Sequence, residues 1–269
     1  MGRPQKILLS LFFAAFLFLG SIPATISSNT SSFSEERGND NEHILFGYPG
    51  TDGTILNRKG YVLSHNNEKK VADWVSYHLK DTYLVKKVRR TNNYRADPDL
   101  SKGQRSELED YRGSGYDRGH LAPAGDMTRN KVVMSESFLL SNMAPQVGVG
   151  FNRGIWEELE SKVREWARER KNLYIITGPI YSNSDYETIG PNRVAVPTHF
   201  YKIVVSRTES GEDLNAIAFI LPNKRISSSL PGKFITTIDE VERLTGLDFL
   251  HELEDGIEEG LESSKSEMW

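Results

Sequence analysis

Four short blocks in fixed order constrain this chain more than anything else in its 269 residues: Asp117-Arg118-Gly119-His120, then Ser141-Asn142-Met143-Ala144-Pro145-Gln146, then Asn152, then Glu160. The second block follows a short apolar run that Pro145 ends. Beyond it begins the clearest helical pattern in the chain, with Ile155, Leu159, Val163 and Trp166 recurring on one face between Asn152 and about Arg170 and charges on the other. A fold built on this sequence has to gather two short extended pieces and one helix around a histidine, two amides and a carboxylate.

The rest of the chain says what surrounds them. Asn67–Leu79 places Val71, Trp74, Val75 and Leu79 at helical spacing and predicts an amphipathic helix. Thr82–Val88 is rich in β-formers and predicts a strand leading into the basic cluster Lys86–Arg90. Residues 91–115 read as a long polar loop, with Asp97-Pro98 as a turn signal, and Phe138–Met143 as strand-like. Leu173–Thr177, Val194–Val205 and Ala216–Leu221 all predict strands. A last helix is announced by Thr237-Ile238-Asp239-Glu240, a capping box, and closed by Gly246. Strands and helices alternate without a regular βαβ period. The expected class is therefore α+β, a central mixed or antiparallel sheet flanked by helices.

The ends differ in composition from the body. Arg3 and Lys6 precede 14 apolar or small residues, Ile7–Gly20, and then Ser21-Ile22-Pro23-Ala24, the layout of a secretory signal peptide over residues 1–28. The run falls short of the roughly 20 residues a membrane span needs, so no stable span is expected once the signal is removed, and an uncleaved anchor is the minority reading. Residues 29–42 are polar and read as a linker, with Asn29-Thr30-Ser31 as a weak glycosylation triplet. The expected domain runs over 43–251, and 252–269 is an acidic tail read as disordered. That tail explains the net charge of −4: without its seven acids and Lys265, the totals of 37 acidic and 33 basic residues become 30 and 32. The body is close to neutral, as suits an enzyme that must release a charged product. There is no cysteine, which excludes disulfides, zinc–thiolate sites and thiol nucleophiles.

The four blocks hold the parts that phosphodiester hydrolysis needs: a base for water, a cation for the charge that builds on phosphorus, and hydrogen-bond donors for its oxygens. His120 is the candidate base, mostly neutral near pH 7 if its second nitrogen donates to a fixed partner, and Gly119 lets the backbone turn ahead of it. Asn152 is the candidate metal ligand, since magnesium keeps most of its water and takes few protein oxygens. Glu160, eight residues on and about two turns along the same helix, is placed near the ion's waters. Asn142 positions the water or the histidine ring, and Arg118 offers a fork to a phosphate. Each has a plainer reading: Glu160 as solvated helix surface, Arg118 as a partner for Asp117, Lys86–Arg90 as a charged strand end, His199 as a core histidine.

The stretch Asp110–Ala124, then Leu140–Gln146 through Asn152 to Trp156 and Glu160, closely resembles the DNA/RNA non-specific endonuclease family with its ββα-metal motif. Weaker likeness takes in Thr177-Gly178-Pro179, Val194–Lys202, Leu221-Pro222-Asn223 and Thr245–Phe249, and the mitochondrial members are the nearest. The resemblance implies His120 as general base, Asn152 as the Mg2+ ligand (Mn2+ as a substitute), Glu160 beside the metal's waters, and Asn142 and Arg118 in support. A further upstream arginine at the phosphate does not align cleanly, and Arg90 is assigned to it. The implied substrates are DNA and RNA, cut to 5′-phosphate ends with little base specificity. Homodimerisation stays open. The export signal predicts a secreted or periplasmic protein, against a mitochondrial alternative. A non-catalytic nucleic-acid-binding domain and a small-substrate phosphodiesterase are the rival readings.

Overall fold

The structure, a computed structural model, describes residues 2, 41–208, 213–227 and 231–269. The expected signal peptide, residue 2 apart, and most of the expected linker lie outside those residues. In chain order the first elements are β1 (Thr54–Asn57), β2 (Val62–Asn66), β3 (Val71–Lys80), α1 (Leu108–Tyr111), β4 (Tyr116–His120), α2 (Lys131–Glu136) and β5 (Met143–Val147). The two-residue strands β6 (Val149–Gly150) and β7 (Arg153–Gly154) precede the long helix α3 (Ile155–Arg170). Then come β8 (Asn172–Ile180), β9 (Thr188–Ile189), β10 (Val194–Ala195), β11 (His199–Arg207), β12 (Leu214–Pro222), β13 (Ile235–Thr236), α4 (Ile238–Thr245) and α5 (Asp255–Glu262).

A seven-stranded sheet in the order β1-β2-β3-β8-β11-β12-β13 forms the centre, and all its pairings are antiparallel. The α+β expectation holds. Because strand side chains alternate between faces, the sheet carries two cores. Val75, Ile175, Phe200 and Val204 pack with Trp156, Leu159 and Val163 of α3 on one face. Trp74, Ile176, Tyr201 and Val205 pack with Ile238 and Val241 of α4 and with Phe249 on the other. Burying each such side chain contributes about 1.5–3 kcal/mol, so α3, and the polar residues before and on it, are held against a rigid floor.

Several local expectations change. Val71–Lys80 is a strand, not a helix: it lies in the middle of the sheet, and burial on both faces erases the alternation that would have marked it. Thr82–Val88 is not a strand; Asp81–Tyr83 forms a 3-10 turn and Lys86 takes a positive φ of 49°. Leu140–Asn142 is also a 3-10 turn, and the strand begins only at Met143. Pro197 breaks the expected Val194–Val205 strand into β10 and β11. Half of the expected α4 capping box forms: the Thr237 side chain accepts from Glu240 N at 3.2 Å and Gly246 closes the helix at φ 71°, but the Glu240 carboxylate is taken by Arg243 at 2.7 Å.

The ends of the expected domain shift too. Glu42, placed in the linker, accepts from Lys80 Nζ at 3.0 Å and from the Tyr83 hydroxyl at 2.9 Å. The acidic segment is not a loose tail. Leu253 and Leu261 pack on the α4 face, and at its far end the Trp269 carbonyl accepts from Trp166 Nε1 at 3.1 Å while its ring lies under Arg170 at 4.1 Å. Its apolar residues recur at helical spacing among the acids, and that stripe is what the charge count concealed. Among the described residues no helix is long and apolar enough to cross a membrane.

Candidate active site

Strand β4 pairs antiparallel with β5, setting Asp117 opposite Gln146, Gly119 opposite Ala144 and His120 opposite Met143. Gly119 does not serve a turn, as its position before a histidine suggested. It lies within the strand, where a Cβ would sit 2.1 Å from the buried Gln146 side chain. Close approach requires the glycine. After β5 the chain doubles back, Asn152 N donating to the Val147 carbonyl and Arg153 N to the Gly148 carbonyl, both at 2.9 Å. Asn152 therefore precedes α3, which starts at Ile155, and the angular relation drawn between Asn152 and Glu160 along one helix does not apply.

The hairpin, the bend and the first turns of α3 enclose a cavity of about 410 Å³. Arg90, Arg118, His120, Asn152 and Glu160 all line it. A second hollow of about 600 Å³ shares Arg90, Arg118 and Asn152 and extends the cleft past Tyr116. Asn142 is absent from both. It is fully buried, its Oδ1 accepting from Ala122 N and its Nδ2 donating to the carbonyls of Ala122 and Ser137, each at 2.9 Å. It neither touches water nor orients the His120 ring; it pins the loop that leaves the hairpin.

His120 is 7% exposed, and its Nε2 is enclosed without a hydrogen-bond partner, contrary to the fixed acceptor expected for it. Rings hold it instead: Phe138 edge-on at 5.1 Å and Tyr94 at 6.0 Å. Burial, and then the positive charge of Arg90, push its pKa down to about 3. The imidazole is neutral at pH 7 and its lone pair is free. Arg90 donates to Asn92 Oδ1 at 2.7 Å and to the Tyr94 hydroxyl at 3.2 Å. Arg118 has no carboxylate partner among the described residues and stacks on Tyr94 at 4.3 Å. Asp117 pairs with Arg153 at 2.9 Å, so the internal Asp117–Arg118 bridge is not made.

Asp117 also accepts from Asn152 Nδ2 at 2.9 Å. That bond decides which pole of the amide is free, since with Nδ2 committed, Oδ1 is left as the oxygen facing the cavity. Glu160 is partly exposed in the same cavity and makes no hydrogen bond or ion pair there. Burial drives its carboxyl up, opposed by Lys202 and Arg164. An amide oxygen and an uncommitted carboxylate, in a chain without cysteine, suit a hard divalent cation.

Sequence reasoning missed the support beneath Glu160. Lys202 shares a face of β11 with Phe200 and Val204, which directs it under α3, where its Nζ lies 4.7 Å from the Trp156 ring and has no hydrogen-bond acceptor. Burial lowers its pKa, while Glu160 and then Asp126 hold it up. Arg164, one turn beyond Glu160, pairs with buried Asp126 at 3.1 Å, and Asp126 accepts from Tyr77 at 2.9 Å. A lysine inside the β-run Val194–Val205 was the available signal. Tyr94, which ties Arg90, Arg118 and His120 together, carried none.

Residues 39–256 match the family described as DNA/RNA non-specific endonuclease. The chain is 40% identical over 230 residues to Nuclease C1 of Cunninghamella echinulata var. echinulata, covering 80% of this chain and 90% of that one. It is 34% identical to the mitochondrial endonuclease G of Homo sapiens, covering 78% and 73%. Among solved structures, a chain in the EndoG/EndoGI complex, a study of EndoG inhibition, superposes with a TM-score of 0.74 at 38% identity, over 78% of this chain and 91% of that one.

Proposed function

Given that the chain belongs to the DNA/RNA non-specific endonuclease family, and is thus a hydrolytic nuclease, we propose that it cuts DNA and RNA with His120 as general base and magnesium held at Asn152. One observation carries the assignment: Arg90, Arg118, His120, Asn152 and Glu160, spread over 70 residues of sequence, line a single cavity. Bound there, a divalent ion supplies charge neutralisation at the phosphate. Asn152 would hold it through Oδ1, and Glu160 would accept from its hydration shell.

The rest is the work of this chain's own groups. With Nε2 walled in, Nδ1 of His120 is the nitrogen left to accept a proton from water. Phosphate bound by Arg90 and Arg118 offsets the Arg90 charge that depresses the imidazole, raising its basicity when substrate is present. Arg118, kept flat by Tyr94 and unpaired with any acid among the described residues, presents its fork to the non-bridging oxygens. Water adds to phosphorus as its proton passes to Nδ1 of His120, and the bond to O3′ breaks; O3′ takes a proton from solvent, leaving a 5′-phosphate and a 3′-hydroxyl. Because these contacts are to phosphate, neither the base nor the sugar is read.

The decisive experiment follows supercoiled plasmid and a single-stranded RNA with protein from residue 29 onward, with magnesium, manganese, or chelator. Nicking of both substrates that needs the ion and disappears in His120→Ala is the expected result. Cleavage undiminished in that variant would overturn the assignment. For location we propose export, on the apolar run Ile7–Gly20 behind Arg3 and Lys6; relatives named mitochondrial supply the competing destination. Secretion of a fusion carrying residues 1–28, with a processed N-terminus, separates the two.

A further inference from the structure

On the sheet face opposite the cleft, α4 and α5 bring three carboxylates together. One oxygen from each of Asp239, Glu242 and Glu262 lies within 4.8 Å of the others. Glu262 is 7% exposed, and its Oε1 is buried with no hydrogen-bond partner. One oxygen of Glu242 accepts from Phe249 N at 2.7 Å, which fixes the side chain. The basic residue of α4, Arg243, is engaged by Glu240 at 2.7 Å.

The arrangement is costly as a bare set of acids: Oε1 of Glu262 is out of water with no donor, beside two other carboxylates. Glu262 is also the last residue of α5, where the unsatisfied carbonyls carry partial negative charge and disfavour an anion. The spacing, in contrast, suits an ion. Oxygens on opposite sides of a calcium ion, each at about 2.4 Å, are about 4.8 Å apart, and calcium tolerates irregular sets of carboxylates completed by water.

We propose that Asp239, Glu242 and Glu262 form a structural cation site, distinct from the catalytic one, that takes calcium and staples α5 onto α4. Its occupant joins the last turn of the acidic segment to a helix of the nuclease body. The region matched by the family ends at residue 256, so it takes in Asp239 and Glu242 but not Glu262. The proposal does not depend on the catalytic reading.

The test uses the full chain carrying Asn152→Ala, so that binding at the cleft does not intervene, and calcium chloride alone as the probe. Calorimetric titration is expected to show one calcium site in this protein, and millimolar calcium is expected to raise its thermal midpoint by several degrees. Both effects are lost when Glu262→Gln or Asp239→Asn is added. These amides conserve shape, and an unchanged far-ultraviolet spectrum and magnesium-dependent plasmid nicking of Glu262→Gln on the otherwise native chain check the fold. No calcium binding in the Asn152→Ala protein, or binding and stabilisation that persist in both added variants, overturns the proposal. Loss of nicking in His120→Ala bears on the cleft alone, so the two readings fail separately.

Discussion

Asn152 donates through Nδ2 to Asp117 Oδ2 at 2.9 Å, so a strand residue fixes the orientation of an amide that lies 35 positions away in the bend before α3. The bond selects Oδ1 as the pole presented to the cleft. Asp117→Asn can accept the same hydrogen bond but loses the charge that also holds Arg153, and Asp117→Ala frees the amide to rotate. For Asp117→Ala, the magnesium concentration giving half-maximal plasmid nicking is expected to rise by about 10–100-fold. An unchanged metal requirement would show that Asn152 does not rely on Asp117.

Asn142 is expected to behave as a structural residue although it lies in the signature block. Asn142→Ala removes three buried hydrogen bonds and strands their backbone partners, a loss of about 2–4 kcal/mol. Urea unfolding reads that loss directly. Turnover per folded molecule should change far less than in His120→Ala; a catalytic collapse at unchanged stability would return Asn142 to the chemistry.

Lys202→Met separates activity from stability in the opposite sense. The ammonium has no hydrogen-bond acceptor and sits in a buried apolar and acidic setting, so an apolar side chain of similar length is expected to leave stability unchanged or higher. Asp126 keeps Arg164 and Tyr77. Glu160 loses one of the two cations opposing its protonation, and nicking should fall by about tenfold or more. Wild-type activity in this variant would remove Lys202 from the account.

Acid should destabilise the fold through histidines kept neutral by burial. His43, His65, His78 and His120 are all lowered, His78 to about 4, by burial and then by Lys80. A lowered histidine binds its proton in the unfolded chain first, at about 6.5, so its contribution is complete above that pH and falls away between 6.5 and its folded value. His78 stacks on Tyr174 at 4.2 Å, a contact phenylalanine can keep. In His78→Phe, stability measured by denaturant from pH 6.5 to 4 should fall less steeply, by up to about 1.4 kcal/mol per pH unit. Identical slopes would mean that His78 takes up no proton on unfolding.

The candidate cluster was readable because its members sit near glycine and proline punctuation on contiguous elements: His120 ends a strand, Asn152 follows two glycines, and Glu160 lies on a helix with a clear apolar stripe. Arg90 came through resemblance alone, since the loop that carries it has no period. Lys202 was hidden for a different reason. Its neighbour Glu160 is 42 positions earlier, and only the register of β11 against β8 and the packing of α3 bring them together. The same burial that makes β3 the middle of the sheet gave it a helical spacing by accident. In the acidic segment, charge masked the apolar stripe of α5.

The contact between Gly119 and Gln146 reaches beyond this chain. A methyl group at 119 would force the buried Gln146 side chain to move aside, so a change at one position bears on the other. In an alignment of relatives the two columns should vary as a unit: a side chain where this chain has Gly119 should be found with a shorter residue where it has Gln146. An engineer wishing to retune the histidine by changing the residue before it would have to begin on the opposite strand.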